Sequence, residues 1–189
     1  MVNRAMTRPA SLSLHHALLA LAIVLVWGTN FTIARLGLRV LPPVLFTALR
    51  FFFVVFPAVF FLPRPAVPWR LLAAYGLLTG TVQFGFLYMA MAGRISPGLA
   101  SLVIQAQVFV TIGLSMAFSG ERVKVFQWGA LALAAVGLGI IIAHGGQDAT
   151  LSGVLLVLVA ACGWAGGNQI VRISGTSTSI STSTRSPGD

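Results

Sequence analysis

HALLALAIVLVWGTNFTIAR, residues 16–35, is the stretch on which the fold turns. Residues 17–26 are Leu, Ile, Val and Ala without interruption, after which Trp27, Gly28, Thr29 and Asn30 place a wide ring, a gap and two hydrogen-bonding side chains in the same apolar run. A helix of that length spans about 30 Å, the thickness of a bilayer's hydrocarbon core. Asn and Thr at that depth are disfavoured unless other helices or a wet cavity receive them. The pattern returns near the other end of the chain as Trp164, Ala165, Gly166, Gly167, Asn168, Gln169, Ile170, Val171 and Arg172. The interval from Trp to Arg is eight residues in both copies. The chain therefore reads as a first half followed by the opening helix of a second.

Working outward, the rest of the sequence has the same character. Of 189 residues, 57% are hydrophobic and 8% charged, with a mean hydropathy of +0.94. Soluble domains carry roughly 25% charged residues. The deficit, together with several apolar runs near the length of a membrane span, predicts an all-α, polytopic helical membrane protein whose principal partner is the lipid bilayer. The net charge of +9 does not point to nucleic acid, because the basic residues sit singly or in pairs at the ends of apolar runs and form no stripe. One cysteine, Cys162, excludes an intrachain disulfide, and no metal-ligand spacing or cofactor motif is present. Arg4 and Arg8 precede the first run as in a signal peptide, but that run is too long and lacks a small-residue cleavage site, so it is read as a retained span.

Six spans are predicted, over residues 16–36, 44–62, 69–92, 97–118, 126–144 and 151–173, separated by Pro and Gly. Short connections make consecutive helices antiparallel neighbours. On the N-terminal side of the membrane lie Arg4, Arg8, Arg64, Arg70, Arg122, Lys124, Arg172 and Arg185; on the opposite side lie Arg35, Arg39 and Arg94. The positive-inside rule places the first group, and the N-terminus, in the cytoplasm. Five spans separate the start of the motif helix from the start of its echo, and an odd number inverts the second copy. Inverted repeats with a substrate site between them are a recurring construction of secondary transporters. The predicted organisation is a cytoplasmic N-terminus over 1–15, a five-helix repeat over 16–144, a loop and the first helix of a second repeat over 145–174, and a disordered tail over 175–189. In that tail nine of fifteen residues are Ser or Thr. Its abrupt onset suggests truncation or a shifted reading frame.

Polar side chains inside the spans are the candidates for function. In the fourth span Ser101, Gln105, Gln107, Thr111 and Ser115 fall within an arc of roughly 160° at 100° per residue, predicting one inward-facing polar face. In the third, Tyr75, Thr79 and Gln83 are spaced four apart, with Gly76 and Gly80 beside them as a small-residue pair suited to close helix packing. Arg50 lies six residues inside the second span, as a snorkelling anchor, a structural hydrogen-bond donor or a contact for a substrate carboxylate. Small residues of the fifth span, among them Ala130, Ala134 and Gly137, suit packing. All three acids, Glu121, Asp148 and Asp189, fall outside the spans, so no intramembrane carboxylate is available to titrate. No hydrolytic, redox or phosphate-cradling constellation is visible, which argues against an enzyme.

These stretches resemble the EamA-type transporters of the drug/metabolite transporter superfamily, and most nearly their O-acetylserine/cysteine exporter branch. The resemblance rests on Trp27 to Phe31; Pro42-Pro43 with Leu49-Arg50-Phe51 and Phe56-Pro57-Ala58; the Gly98-Leu99-Ala100-Ser101-Leu102-Val103 run into Gln105-Ala106-Gln107; the Gly120-Glu121-Arg122 corner; and Trp164 to Asn168. It implies ten-helix carriers of two inverted five-helix repeats that export cysteine-pathway metabolites and small amino acids across the bacterial inner membrane by alternating access. Against that pattern helices seven to ten are missing. The expected substrate pathway is Trp27, Asn30, Arg50, Gln83, Tyr88, Gln105 and Gln107, with Trp164 and Asn168 entering from the second repeat. A non-transporting remnant or scaffold, and a small multidrug exporter working as a homodimer, are the rival readings.

Overall fold

The computed structural model of the chain describes residues 13–62, 67–120, 124–144 and 149–183. Helix α1 (Leu14–Gly37) is capped by Ser13, whose hydroxyl accepts from the His16 amide. Helix α2 (Pro43–Phe61) starts on a Pro42-Pro43 pair, and a proline at the first helical position gives up an amide that would have no partner anyway. Helix α3 (Trp69–Met91) and helix α4 (Pro97–Phe118) follow, then α5 (Val125–His144) and α6 (Leu151–Ser183). The turn between α3 and α4 needs Gly93 at φ 118°, and Gly120 closes α4 at φ 63°, left-handed conformations that side chains disfavour.

Five helices, α1 to α4 and the Leu151–Gly175 part of α6, are long and apolar enough to cross a bilayer. The fifth expected span, α5, is an apolar helix with a shorter continuous stretch, Val125–Ile141. Helix α6 runs on through Ser183, into the Ser/Thr stretch that begins at residue 175. Extending an existing helix adds one hydrogen bond per residue without a new nucleation cost. The remainder of that stretch, 184–189, and the acids Glu121 and Asp148 lie outside the described residues.

The heaviest packing does not follow chain order. It is α6 against α3 and α4. In α6, 44% of the most apolar stretch is buried, against 6% in α1 and in α2. The core gathers Leu87, Tyr88, Met91, Val103, Ile104, Val157 and Ala161 from these three helices. Glycines on α6 allow the approach. A Cβ on Gly163 would lie 2.7 Å from the Leu78 carbonyl oxygen and 2.8 Å from the Gln83 amide nitrogen, distances no side chain tolerates. The expected glycine pair on α3 does no such work: Gly76 has nothing within 4 Å, and both Gly76 and Gly80 border an open groove of about 630 Å³ between α2 and α3. At one end the seam is pinned by Thr150, whose amide and hydroxyl both donate to the Arg94 carbonyl at 2.8 and 2.9 Å.

Two irregular turns reset the registers read from sequence. Residues Leu77–Gly85 of α3 form a π-helix, in which each turn takes an extra residue. The extra residue shifts the phase of α3 relative to a uniform 100° projection. Tyr75 and Thr79 stay on the α2–α3 groove, while Gln83 rotates into the core at 3% exposure. In α4, Ile104–Ala106 is a 3₁₀ turn. Behind and within it the buried face is Ala100, Val103 and Ile104, whereas Gln105 is exposed. The inward polar face predicted for α4 is thus limited to its second half, where Ser115 is buried.

Candidate functional site

The polar residues of α1, α2 and α3 converge. Asn30 and Trp27 are three apart on α1 and share a face. Arg50 reaches them from α2: its Nη1 donates to the Asn30 Oδ1 at 2.8 Å and to the Tyr88 hydroxyl oxygen. Its guanidinium carbon stands 4.5 Å from the centre of the Phe84 ring and 6.0 Å from that of Tyr88, within cation–π range. Phe46 and Phe51 complete the aromatic surround, with ring centres 5.0 Å from Tyr88 and 5.5 Å from Phe84. Tyr88 is fully buried, while Asn30 and Arg50 are half-buried.

This arrangement follows from electrostatics. A lone guanidinium in a helix centre costs about 2.5–3.5 kcal/mol on insertion scales. Neutral acceptors and ring faces offset part of that cost without cancelling the charge. Thr29, by contrast, is exposed; its hydroxyl donates back to the Leu25 carbonyl at 2.7 Å, a local bond within its own helix that hydroxyls of this kind commonly make.

The two motif copies meet through their tryptophans. The rings of Trp27 and Trp164 stack with centres 5.7 Å apart and planes within 5°, a contact worth about 0.5–1.5 kcal/mol beyond area burial. Trp27 remains 48% exposed, so one side of the stack is open. The arginine ending the second copy, Arg172, donates to the Ser115 hydroxyl of α4. Asn168 is half-buried beside Gly167, which faces the Thr79 hydroxyl and the Tyr75 ring of α3.

Other expected site residues lie elsewhere. Gln105 lines a cavity of about 310 Å³ between α4 and α5, with Phe109, Ala134, Gly137 and Leu138 among its neighbours. Gln107 accepts from Thr111 at 3.0 Å, a bond within its own helix. Gln83 is buried with its Oε1 unpartnered, and so is Gln169. Phe84 was not singled out by the sequence, because an aromatic in an apolar span carries no polar signal. Its spacing of four from Tyr88 on one helix, facing the half-buried Arg50, is the pattern that would have identified it.

Five helices long and apolar enough to span a bilayer, with a hydrogen-bonded arginine and a stacked tryptophan pair between them, define a multi-pass membrane protein with a polar cluster among its helices. The chain belongs to the EamA-like transporter family, whose model matches residues 15–143. It is 45% identical over 152 residues to a protein of Salmonella typhimurium named "Probable amino-acid metabolite efflux pump", covering 79% of this chain and 51% of that protein. An Escherichia coli K12 protein of the same name matches with the same identity and coverage. A protein of that organism named "Uncharacterized inner membrane transporter YedA" is 27% identical over 153 residues, 78% of this chain and 50% of its own length. The chain spans about half the length of these curated relatives. No solved structure shows a significant match.

Proposed function

We propose that the chain is the first repeat, residues 16–144, and the opening helix of an inverted second repeat of an exporter. Its substrates are small amino acids or cysteine-pathway metabolites such as cysteine and O-acetylserine, moved out across the bacterial inner membrane with the N-terminus in the cytoplasm. The observation that carries this reading is the 45% identity to proteins named as amino-acid metabolite efflux pumps, joined to a polar cluster held by residues of the sequence motif. The Trp27–Trp164 stack supports a shared surface between the two repeats, the place where inverted-repeat carriers bind substrate. Rocking of the repeats against each other then exposes the cluster alternately to the two sides.

On this reading Trp27, Asn30, Arg50, Tyr88 and Trp164 line the pathway, with Gln83 and Asn168 behind them. Gln105 and Gln107 sit on the α4 side. The test is export of cysteine from loaded cells expressing the 189-residue chain. Export is expected above the empty-vector rate, Asn30→Leu is expected to abolish it, and Gln105→Ala to leave it within about twofold. Absence of export from cells carrying the unmutated chain rejects the reading for this chain; equal losses in both variants extend the pathway to the α4–α5 cavity.

A further inference from the structure

The hydrogen bonds of Arg50 are unevenly distributed over its guanidinium. Nη1 makes both, to Asn30 and Tyr88. Nε and Nη2 make none with the described residues. Nor are they sealed in the interior: among the described residues the buried side-chain polar atoms without a partner are Oε1 of Gln83 and Oε1 of Gln169. The Nε–Nη2 edge of Arg50 is therefore not fully enclosed by the described residues. That edge presents two parallel N–H donors, the fork that matches a carboxylate bidentately.

Among the described residues no carboxylate answers the charge of Arg50. The chain's three acids, Glu121, Asp148 and Asp189, all lie outside helices α1–α6 in sequence. Its partners are an amide oxygen, a phenol and ring faces, which orient the guanidinium but leave a full positive charge. Arg50 is seven residues into α2, so about 10 Å from the helix end. At that depth an anion is held in a medium where its attraction is far stronger than in water.

We propose that the Nε–Nη2 edge of Arg50 receives the carboxylate of the transported solute, with Asn30 and Tyr88 as positioning residues that fix the plane of the fork. This rests on the exporter reading above and names the chemical group by which the site recognises its substrate: a free carboxylate on a small, otherwise neutral solute. The same edge suits the phosphate of an anionic lipid, and the experiment separates the two sources.

The purified 189-residue chain in phosphatidylcholine nanodiscs is titrated with cysteine and with cysteine methyl ester, the latter lacking the carboxylate charge. Binding is read by intrinsic fluorescence, to which the Trp27–Trp164 stack contributes. The acid is expected to bind roughly 10- to 100-fold more tightly than the ester, the range of a charge-assisted hydrogen-bonded pair. Arg50→Gln is expected to bring that ratio close to one, and Arg50→Lys, which keeps charge but loses the fork, to an intermediate value. Asn30→Ala is expected to lower the ratio while Arg50 stays in place. Circular dichroism of each variant confirms the fold, and Arg50→Lys serves if Arg50→Gln does not fold. Equal binding of acid and ester by the unmutated chain, or an unchanged ratio in Arg50→Gln and Arg50→Lys, overturns the carboxylate assignment and leaves the exporter reading standing. Binding of neither solute overturns both. Loss of acid binding when phosphatidylglycerol replaces part of the phosphatidylcholine, with lipid retention abolished by Arg50→Gln, assigns the edge to lipid and overturns the proposal.

Discussion

Helices α1 and α6 carry the same Trp-to-Arg motif and have opposite fates. In α1 the motif faces outward over most of its length, with 6% of the helix's most apolar stretch buried; in α6 the figure is 44%. What differs is the glycines. Gly28 of α1 has nothing within 4 Å, whereas Gly163, Gly166 and Gly167 of α6 each lie against α3. A second difference is the spacing: Asn30 is three residues beyond its tryptophan and Asn168 four. One residue is 100° on a helix, so the two amides cannot occupy equivalent places even though the tryptophans meet. A shared motif sets which rings touch. The small residues beside it set which helix becomes the centre of the bundle.

The sharpest way to break this comparison is to fill the α6 seam. Gly163→Leu places a side chain against the Leu78 carbonyl and Gln83 amide, backbone atoms that cannot rotate away. The expected result is loss of the folded bundle, with a cost above about 3 kcal/mol, read as aggregation on size exclusion in detergent and loss of a cooperative melt. Gly167→Ala is a milder case, because its nearest obstacle is the Thr79 hydroxyl, a side chain that can turn. Its expected cost is about 1 kcal/mol by denaturant titration. A smaller effect separates the tryptophans: Trp27→Ala and Trp164→Ala are each expected to destabilise. A double-mutant cycle should give a coupling of about 0.5–1.5 kcal/mol for the stack. Coupling near zero would show that the rings are neighbours without interacting. Gly28→Ala is expected to be the smallest change and of opposite sign, a gain of up to about 1 kcal/mol, since alanine favours the helix and nothing obstructs it. If Gly28→Ala destabilised as Gly167→Ala does, the contrast between the two motif copies would fail.

Much of this was legible in the sequence, and what was not has a local cause. The helices followed from apolar runs and their Pro and Gly boundaries, and the Trp27–Trp164 relation from the repeated interval. Arg50 announced itself by being charged at depth. The partners of Arg50 were half visible: Asn30 and Tyr88 are polar and drew notice, Phe84 is not and did not. The faces of α3 and α4 were misread for one reason. Both were projected on a uniform 100° period, and both contain a turn that departs from it, wider over Leu77–Gly85 and tighter over Ile104–Ala106. No residue type in LLTGTVQFG or IQA signals such a turn. The widened segment of α3 is the one against which Gly163, Gly166 and Gly167 of α6 lie.

The wide turn of α3 also bears on how the chain tolerates mutation. A π segment holds a surplus residue relative to the α-helix on either side. Removing one residue from an ordinary membrane helix re-phases everything beyond the cut and turns buried side chains to lipid. Removing one within Leu77–Gly85 instead lets the turn contract to the α form, with Tyr88 and Met91 still facing the core. Among the spanning helices, this nine-residue stretch is therefore where a three-nucleotide deletion in the coding sequence should do least harm.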